Sequence, residues 1–385
     1  MVQKKQNMQI NNYDITIIGG GLSGLCTSIL LAKAEHSVLL VEKETYPFHK
    51  VCGEYISLES WDFLSKEIGV PLQDFNLPIL KKLVVTAPNG NTLQSDLDLG
   101  GFGISRYTLD NTLQQIAKQH GVTIIEACKV EDVIFKEDIF YITTNKENYT
   151  SKVCCGSWGK RSNVDIKWKR SFTSKNSDRL NNFIGVKYHV KIDFPNDVIA
   201  LHNFKDGYCG ISQIEDGKHC VCYLTKASNL KKAGSIQKME AEILSENPHL
   251  KKLFANATKL YDAPITISQI SFSKKNRIEN NVLMLGDAAG MITPLCGNGM
   301  SIAMHTGKIA AEVLNSFLQN KITRAQLEEL YVKTWNRNFA TRIKIGKAVQ
   351  YLFGRKATTN LFVALMKRSK WLTNILIKST HGRGF

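Results

Sequence analysis

The stretch DITIIGGGLSGLCTSILLAKAEHSVLLVE, residues 14 to 42, decides the fold. A β-branched run ends in three glycines, an apolar-rich segment follows, and a second β-branched run closes on Glu42. Leu22, Leu25, Cys26, Ile29, Leu30 and Leu31 give the middle segment a face for packing on a sheet, so the pattern predicts a βαβ unit. Gly19-x-Gly21-x-x-Gly24 opens the helix. The first glycine permits the tight turn, the second lets backbone N–H groups approach a pyrophosphate, and the third lets helix and strand pack closely, while the helix N-terminus adds partial positive charge. Glu42 falls 18 residues after Gly24, where a carboxylate accepts hydrogen bonds from two ribose hydroxyls. With Ser23 inside the turn and Lys43 beside the carboxylate, this is a candidate dinucleotide site for an unphosphorylated ribose, hence FAD or NAD rather than NADP.

Downstream, Leu58 to Ile68 reads as helix, Ile79 to Thr86 as strand, Leu109 to His120 as an amphipathic helix stopped by Gly121, and short strands follow between Val122 and Cys155. At SWGKRSNVDIKWKRSFTSKNSDR, from Ser157, the composition turns polar, basic and rich in turn formers, which predicts an exposed crossover. From Phe183 to Leu224 alternation resumes between turns such as Lys205-Asp206-Gly207, the pattern of an antiparallel sheet inserted into the first domain. The chain returns at Val282 to Gly286 and is almost wholly helical from Ile302. The expected class is α/β with an α+β insertion: a Rossmann-like domain over 13–160 and 275–320, lending 79–105 to the second sheet, and a substrate domain over 161–274. Residues 1–12 read as a flexible basic tail and 321–385 as a basic helical C-terminal region.

A second glycine-rich turn lies far along the chain: Leu283-Met284-Leu285-Gly286-Asp287-Ala288-Ala289-Gly290, then Pro294-Leu295-Cys296-Gly297-Asn298-Gly299-Met300 before a helix. Asp287 is placed to hydrogen-bond a ribityl hydroxyl, and backbone N–H groups from Gly297, Asn298, Gly299 and Met300 to point at a flavin pyrimidine ring. An ordinary strand-to-helix turn has the same pattern, but two such turns flanking an inserted sheet suit an extended, two-ended cofactor.

The GGGLSG fingerprint with Glu42, the GDAAG-x-x-x-P-x-x-G-x-G element and the layout between them resemble the FAD-dependent monooxygenase and geranylgeranyl-reductase superfamily, whose fold is similar to that of p-hydroxybenzoate hydroxylase. HKVCGEYIS, His49 to Ser57, resembles the Cys-Gly stretch of the reductase branch, and Arg106-x-x-x-Asp110-x-x-Leu113 its Arg-containing helix start. The resemblance spans about residues 13 to 315. It implies that Gly19, Gly21 and Gly24 hold the pyrophosphate, Glu42 the adenosine ribose, and Gly286 with Asp287 the ribityl chain; Arg106 meets the phosphate or ribose region, and the Val130 backbone lies beside the adenine. It also implies Cys52 at the flavin face with Glu54 relaying protons, the alternative being a packing thiol in a loop that shapes the pocket. Cys296 falls close to the isoalloxazine by the same carry-over. Where the hydroxylases carry Asp, in Gly-x-Asp-Gly-x-x-Ser, this chain has Trp158, which favours the reductase-like branch. The reductase branch's Trp-x-Phe-Pro pattern is missing, so an isoprenoid substrate does not carry over, and Tyr208 reads equally as substrate wall or core.

The 385 residues are 43% hydrophobic and 22% charged, which excludes a disordered, collagen-like or disulfide-stapled chain. The nine cysteines are scattered and odd in number, as expected of reduced thiols in a cytoplasmic protein, and Cys220-x-Cys222 lacks the partners of a zinc site. The polar start MVQKKQNMQINNYD has no apolar run behind it, so no secretory leader is expected, and no stretch is apolar enough to span a bilayer. The formal net charge is +16, and +12 of it lies between Tyr331 and Phe385, which hold twelve Lys and Arg and no Asp or Glu. Tyr351, Leu352, Phe353, Leu361, Phe362, Leu365, Trp371, Leu372, Ile375 and Leu376 interleave with those cations at helical spacing. This is the signature of a helix lying on anionic lipid at the inner face of a membrane, the alternative being a terminal helix packed on the body; no nucleic-acid module accompanies the charge.

These readings predict an FAD-dependent oxidoreductase of an apolar substrate, with NADH or NADPH as electron donor and no metal. Hydride transfer to an alkene, oxygen insertion, and a non-catalytic membrane-associated flavoprotein stand as the three alternatives.

Overall fold

The computed structural model describes residues 11–173, 182–293, 297–352, 356–380, 382 and 384–385. Two sheets organise them. In the first, β1 (Asn11–Ile18) lies between and parallel to β2 (Val38–Val41) and β9 (Asn148–Gly156). Parallel β6 (Thr123–Ile125) continues beyond β2 and parallel β17 (Val282–Met284) beyond β9, while β16 (Ile278–Glu279) turns back along that edge. The hairpin of β7 (Val130–Lys136) and β8 (Ile139–Thr144) joins the start of β9 on the side away from β1. Parallel strands are covered on both faces, which is why Val38 to Val41 form an unbroken apolar run, buried throughout. The helices α1 (Leu22–Lys33) and α7 (Gly299–Leu318) cross over this sheet so closely that a Cβ on Gly307 would lie 2.8 Å from the Ser23 carbonyl oxygen. The Thr27 hydroxyl donates to the Ser23 carbonyl at 2.7 Å and reaches the Gly307 carbonyl at 3.2 Å.

The second sheet runs β14 (Thr258–Lys259), β10 (Phe183–Lys191), β13 (His219–Lys226), β12 (Gly207–Gln213), β11 (Val198–Phe204), β4 (Ile79–Thr86), β5 (Thr92–Gly103), β3 (Tyr55–Ser57), with β15 (Ile265–Ile270) also on β10. Its pairings are antiparallel except β11 with β4, where the inserted segment meets the strand lent by the first half of the chain. One face is packed by α4 (Ala227–Ala233), α5 (Ile236–Glu242) and α6 (Pro248–Asn256) through Ala233, Met239, Leu250 and Leu253. The other faces the first domain and the C-terminal helices.

Three local expectations change. The helix α2 (Arg106–Gln119) starts before its apolar pattern because Ser105 caps it, accepting from the Thr108 N–H at 3.1 Å. Leu58 to Ile68 forms a 3-10 turn and a π-helical turn instead of one α-helix, ended by Gly69 at φ 94°. Over its described part, residues 157–173, the basic segment from Ser157 is no exposed crossover: it folds into α3 (Asn163–Lys167) and buries Asp165, Arg170 and Phe172, while residues 174–179 lie outside the described residues. Asp165 closes a capping box with Ser162 and accepts from Arg170 at 2.8 Å, so the charge that made the segment look solvated is paired inside.

Three helices end the chain: α8 (Arg324–Leu352), α9 (Lys356–Arg368) and α10 (Lys370–Thr380). The apolar stripe of α8, Tyr331, Trp335 and Phe339, is fully buried in the first domain's core, with the Tyr331 hydroxyl donating to the Met284 carbonyl. That half of the basic region is therefore terminal helix packed on the body. No helix among the described residues is long and apolar enough to cross a membrane.

Gly307→Ala forces α1 and α7 apart and is expected to destabilise the protein by about 1–3 kcal/mol, read as a lower urea midpoint.

Candidate functional site

A cavity of about 1070 Å³ runs between the two sheets. At one end are Gly19 and Gly21, held because Gly19 N–H donates to Val41 at 2.8 Å and Ser157 N–H to Ile18 at 2.8 Å, which ties the turn to both neighbouring strands. Gly19 has φ 101°, and a Cβ there would sit 2.6 Å from the Ser157 carbonyl oxygen. A Cβ on Gly24 would sit 2.2 Å from the Gly19 carbonyl oxygen, so Gly24 supports the turn from behind and does not border the cavity. Gly21 differs: a Cβ there would meet nothing closer than 3.9 Å and would project into open space. The Ser23 hydroxyl beside it is buried with no hydrogen-bond partner. Open space at Gly21, an orphaned hydroxyl and the free N–H groups of a helix start are what a phosphate group needs.

Glu42 is buried at the cavity wall, its two oxygens accepting from Gly20 N–H at 2.7 Å and Glu44 N–H at 3.0 Å. Those bonds fix the carboxylate and leave a lone pair on each oxygen for hydroxyl donors. Lys43 and Val130 border the same end, and the Val130 carbonyl accepts from the Asn163 amide at 3.0 Å. Arg106 faces the glycine turn while gripping Asp110 with two bonds, at 2.7 and 2.8 Å. Lys50, which the sequence reading passed over, joins Asp110 at 2.9 Å and lies 3.5 Å from the Gly20 carbonyl oxygen. Burial would raise the Asp110 pKa, but these two cations hold it below the ordinary range. Lys50 has the composition of an ordinary surface residue; only folding brings it to the turn.

Further along, Gly286, Asp287, Gly297, Gly299 and Met300 border the cavity. The Asp287 carboxylate has no hydrogen-bond partner among the described residues and is open to a hydroxyl, while its carbonyl accepts from Lys275 at 2.9 Å. Burial pushes the Lys275 ammonium down to about 8 despite the nearby Asp287 and Asp165. Asn298 lies behind the wall, bonded to Glu59. Cys296 lies outside the described residues. Trp158 borders the cavity with its indole N–H donating to Asp165 at 3.1 Å, and Arg170 reaches the Ala288 carbonyl at 3.2 Å, so the 157–172 segment braces the Gly286 turn.

At the centre, Cys52 is half-buried on the wall and Glu54 is fully buried beside it. The Glu54 carboxylate accepts from the Lys187 ammonium, from His189 Nε2 at 2.6 Å and from the Arg106 N–H at 2.8 Å. Burial would raise its pKa, yet Lys187 and His189 hold it near 2. A carboxylate kept ionised and saturated with donors does not carry protons at neutral pH, so the proton-relay reading of Glu54 is corrected to a positioning role. Glu54, His189 and Cys220 bring their ligand atoms within 4.8 Å of one another, but the buried Lys187 already supplies the positive charge there. The far end is apolar: Leu83, Leu97, Ile199, Leu201 and Ile267, with Tyr208 both lining the space and packing on Phe183 and Leu224.

A family model described as an NAD(P)-binding Rossmann-like domain matches residues 17–50, and one described as squalene epoxidase matches residues 208–370. Among curated relatives, digeranylgeranylglycerophospholipid reductase of Methanosarcina acetivorans is 23% identical over 355 residues, covering 89% of this chain and 84% of that protein. Conditioned medium factor receptor 1 of Dictyostelium discoideum is 24% identical, covering 85% and 68%. Among solved structures, a geranylgeranyl bacteriochlorophyll reductase-like protein from Thermoplasma acidophilum superposes with TM-score 0.77 at 18% identity, covering 98% and 97%. The flavin-dependent brominase Bmp2 does so with TM-score 0.77 at 19% identity, covering 96% and 93%. The glycine turns, the Rossmann-like match and the relatives support an enzyme of the FAD-dependent oxidoreductase superfamily, and the solved structures share its fold. The residues fit the cofactor: the open cradle at Gly21, the orphaned Ser23 hydroxyl and Asp287 on the cavity wall mark three points along an extended dinucleotide.

Gly21→Val should leave the urea midpoint near wild type and abolish retained flavin, read as flavin absorbance after desalting. Glu54→Gln strands the Lys187 charge and is expected to cost about 3–5 kcal/mol of stability, while Glu54→Gln with Lys187→Met recovers most of it. Because the Glu54 carboxyl titrates near 2 in the folded protein and at about 4.5 when unfolded, its contribution is complete above about 4.5 and is lost as pH falls toward 2. Wild-type melts should decline steeply across that window, and the double variant less so.

Proposed function

We propose that this enzyme reduces a carbon–carbon double bond in an apolar, isoprenoid-like substrate. The carrying observation is the single cavity that joins the glycine turns to the apolar chamber of Leu83, Leu97, Ile199, Leu201 and Ile267. The digeranylgeranylglycerophospholipid reductases among the relatives support this choice of substrate class. When bound, FAD would supply two-electron hydride chemistry, with NADH or NADPH as the proposed electron donor and the chain supplying the accompanying proton.

The chain's own residues do the rest. Gly19, Gly21, Ser23, Glu42 and Arg106 hold and orient the dinucleotide end, and Asp287 with the Gly297–Met300 turn holds the chain and ring end. The apolar chamber excludes water and aligns the alkene, which strengthens every polar contact at the reacting end. Cys52 is the catalytic candidate, a thiol at the wall held in place because its carbonyl accepts from Cys220 Sγ at 3.3 Å and its loop is pinned through Glu54. Its role is to hold a proton at Sγ for the alkene carbon that does not take the hydride. The squalene epoxidase match favours one second reading, oxygen transfer to the same class of substrate.

Anaerobic flavin reduction by NADH or NADPH, then product mass after incubation with a polyprenyl lipid, tests the proposal. A gain of a hydrogen pair supports reduction and a gain of oxygen the second reading; retained flavin that never turns over any polyprenyl lipid overturns both. Cys52→Ala is expected to lower turnover roughly a hundredfold at unchanged flavin retention.

A further inference from the structure

The hairpin of α9 and α10 has two apolar faces. Its inner face closes the chamber: Val363 is fully buried against Val85 and Leu93, Phe362 and Met366 line the cavity from α9, and Leu376 and Ile377 line it from α10. Its outer face shows solvent Leu361 at 62% exposure, Leu365 at 50%, Trp371 at 70%, Leu372 at 42% and Ile375 at 46%. Leu361, Leu365 and Arg368 follow one stripe of α9 at i, i+4 and i+7, and Trp371, Leu372 and Ile375 share one side of α10. Five large apolar side chains on one exposed hairpin are far more than scattered surface residues account for. Lys356, Lys367 and Arg368 on the same hairpin are exposed, and neither helix contains an acidic residue.

An exposed apolar stripe with a tryptophan, beside the cations Lys367 and Arg368 and beside Lys356, which lies 3.8 Å from Glu246, matches one environment: the headgroup boundary of a bilayer with negative charge. A neutral apolar partner would leave the cations unanswered, and a polyanion such as nucleic acid would leave the leucines and the tryptophan in contact with charge. A second feature points the same way. A groove of about 360 Å³ lies at the junction of the two helices, walled by Thr92 to Ser95 of β5 with Met366, Lys367 and Thr373. It shares Leu93, Met366 and Thr373 with the main cavity. The groove and the chamber therefore lie on either side of the same three side chains, with Lys367 at the groove's rim.

We propose that the outer face of the α9–α10 hairpin docks the enzyme on an anionic phospholipid bilayer, with the groove beside Lys367 as the route from that surface to the cavity. The route rests on the lipid-substrate reading above; the docking does not. Docking by this face leaves the glycine turns and the cofactor end untouched, and places the chamber wall against the source of an apolar substrate.

Vesicle flotation of the full-length flavin-loaded protein tests this, with phosphatidylglycerol–phosphatidylcholine vesicles against phosphatidylcholine alone. Binding is expected to the anionic vesicles only and to fall steeply with added salt. Lys356→Glu with Arg368→Glu should weaken it at least tenfold, and Leu361→Ser with Leu365→Ser and Trp371→Ser should abolish it, each at wild-type flavin retention. Binding unchanged in both variants, or no binding by wild type, overturns docking. A dimer in sedimentation velocity that the apolar variant dissociates overturns it too, since the face is then an interface between copies. Wild-type protein that reduces a short, water-dispersed alkene yet binds no anionic vesicle sinks this proposal alone, whereas docking without any alkene reduction sinks the catalytic reading alone.

Discussion

Glu54 is the joint on which the site depends. Its backbone carbonyl accepts from the Ile104 N–H at 3.1 Å, and its carboxylate from the start of α2 and from two side chains of β10. One residue thus fixes the loop carrying Cys52, the helix carrying Arg106 and β10 near one edge of the second sheet. It does so from a left-handed backbone, φ 56°, a conformation only the surrounding bonds sustain in a glutamate. A buried ion pair contributes little net stability, because desolvation offsets most of the attraction, but removing one partner is severe. What the pair supplies is position: the carboxylate meets Lys187, His189 and the Arg106 amide at once. His189 is in turn oriented by the Tyr261 hydroxyl at 3.0 Å from its Nδ1.

The dinucleotide half was legible because its information is local. Strand, glycine turn, helix and acidic strand end fall within 29 consecutive residues, and each glycine has a distinct steric reason. The turn around Gly286 was legible on the same grounds. Glu54's role was not, since its lysine and histidine partners lie more than 130 residues downstream and a carboxylate in a polar loop looks alike whether it relays a proton or anchors a lysine. The basic run after Ser157 misled for a related reason: Arg170 and Asp165 are charges that fold inward together, and composition does not reveal pairing.

The C-terminal helices mark a further limit of periodicity. Tyr331, Trp335 and Phe339 and the pair Leu361 and Leu365 all recur at helical spacing among cations, yet the first three are buried in protein and the last two are exposed. An amphipathic stripe specifies that a helix has a partner without specifying which one. The burial of Tyr331 and Trp335 leaves the exposed apolar side chains of the basic region to α9 and α10, while Lys333, Arg337 and Lys344 keep exposed charge on α8.

Order of synthesis gives the α9–α10 hairpin another consequence. Every strand of both sheets leaves the ribosome before it, so the nascent enzyme completes its glycine turns, and its capacity to hold a dinucleotide, while one side of the apolar chamber is still missing. For that interval the inner surfaces of Leu83, Val85 and Leu201 face water, a sticky intermediate of the kind that chaperones shield. Cofactor capture before the hairpin arrives would order both sheets first and leave the last two helices only one surface to close upon.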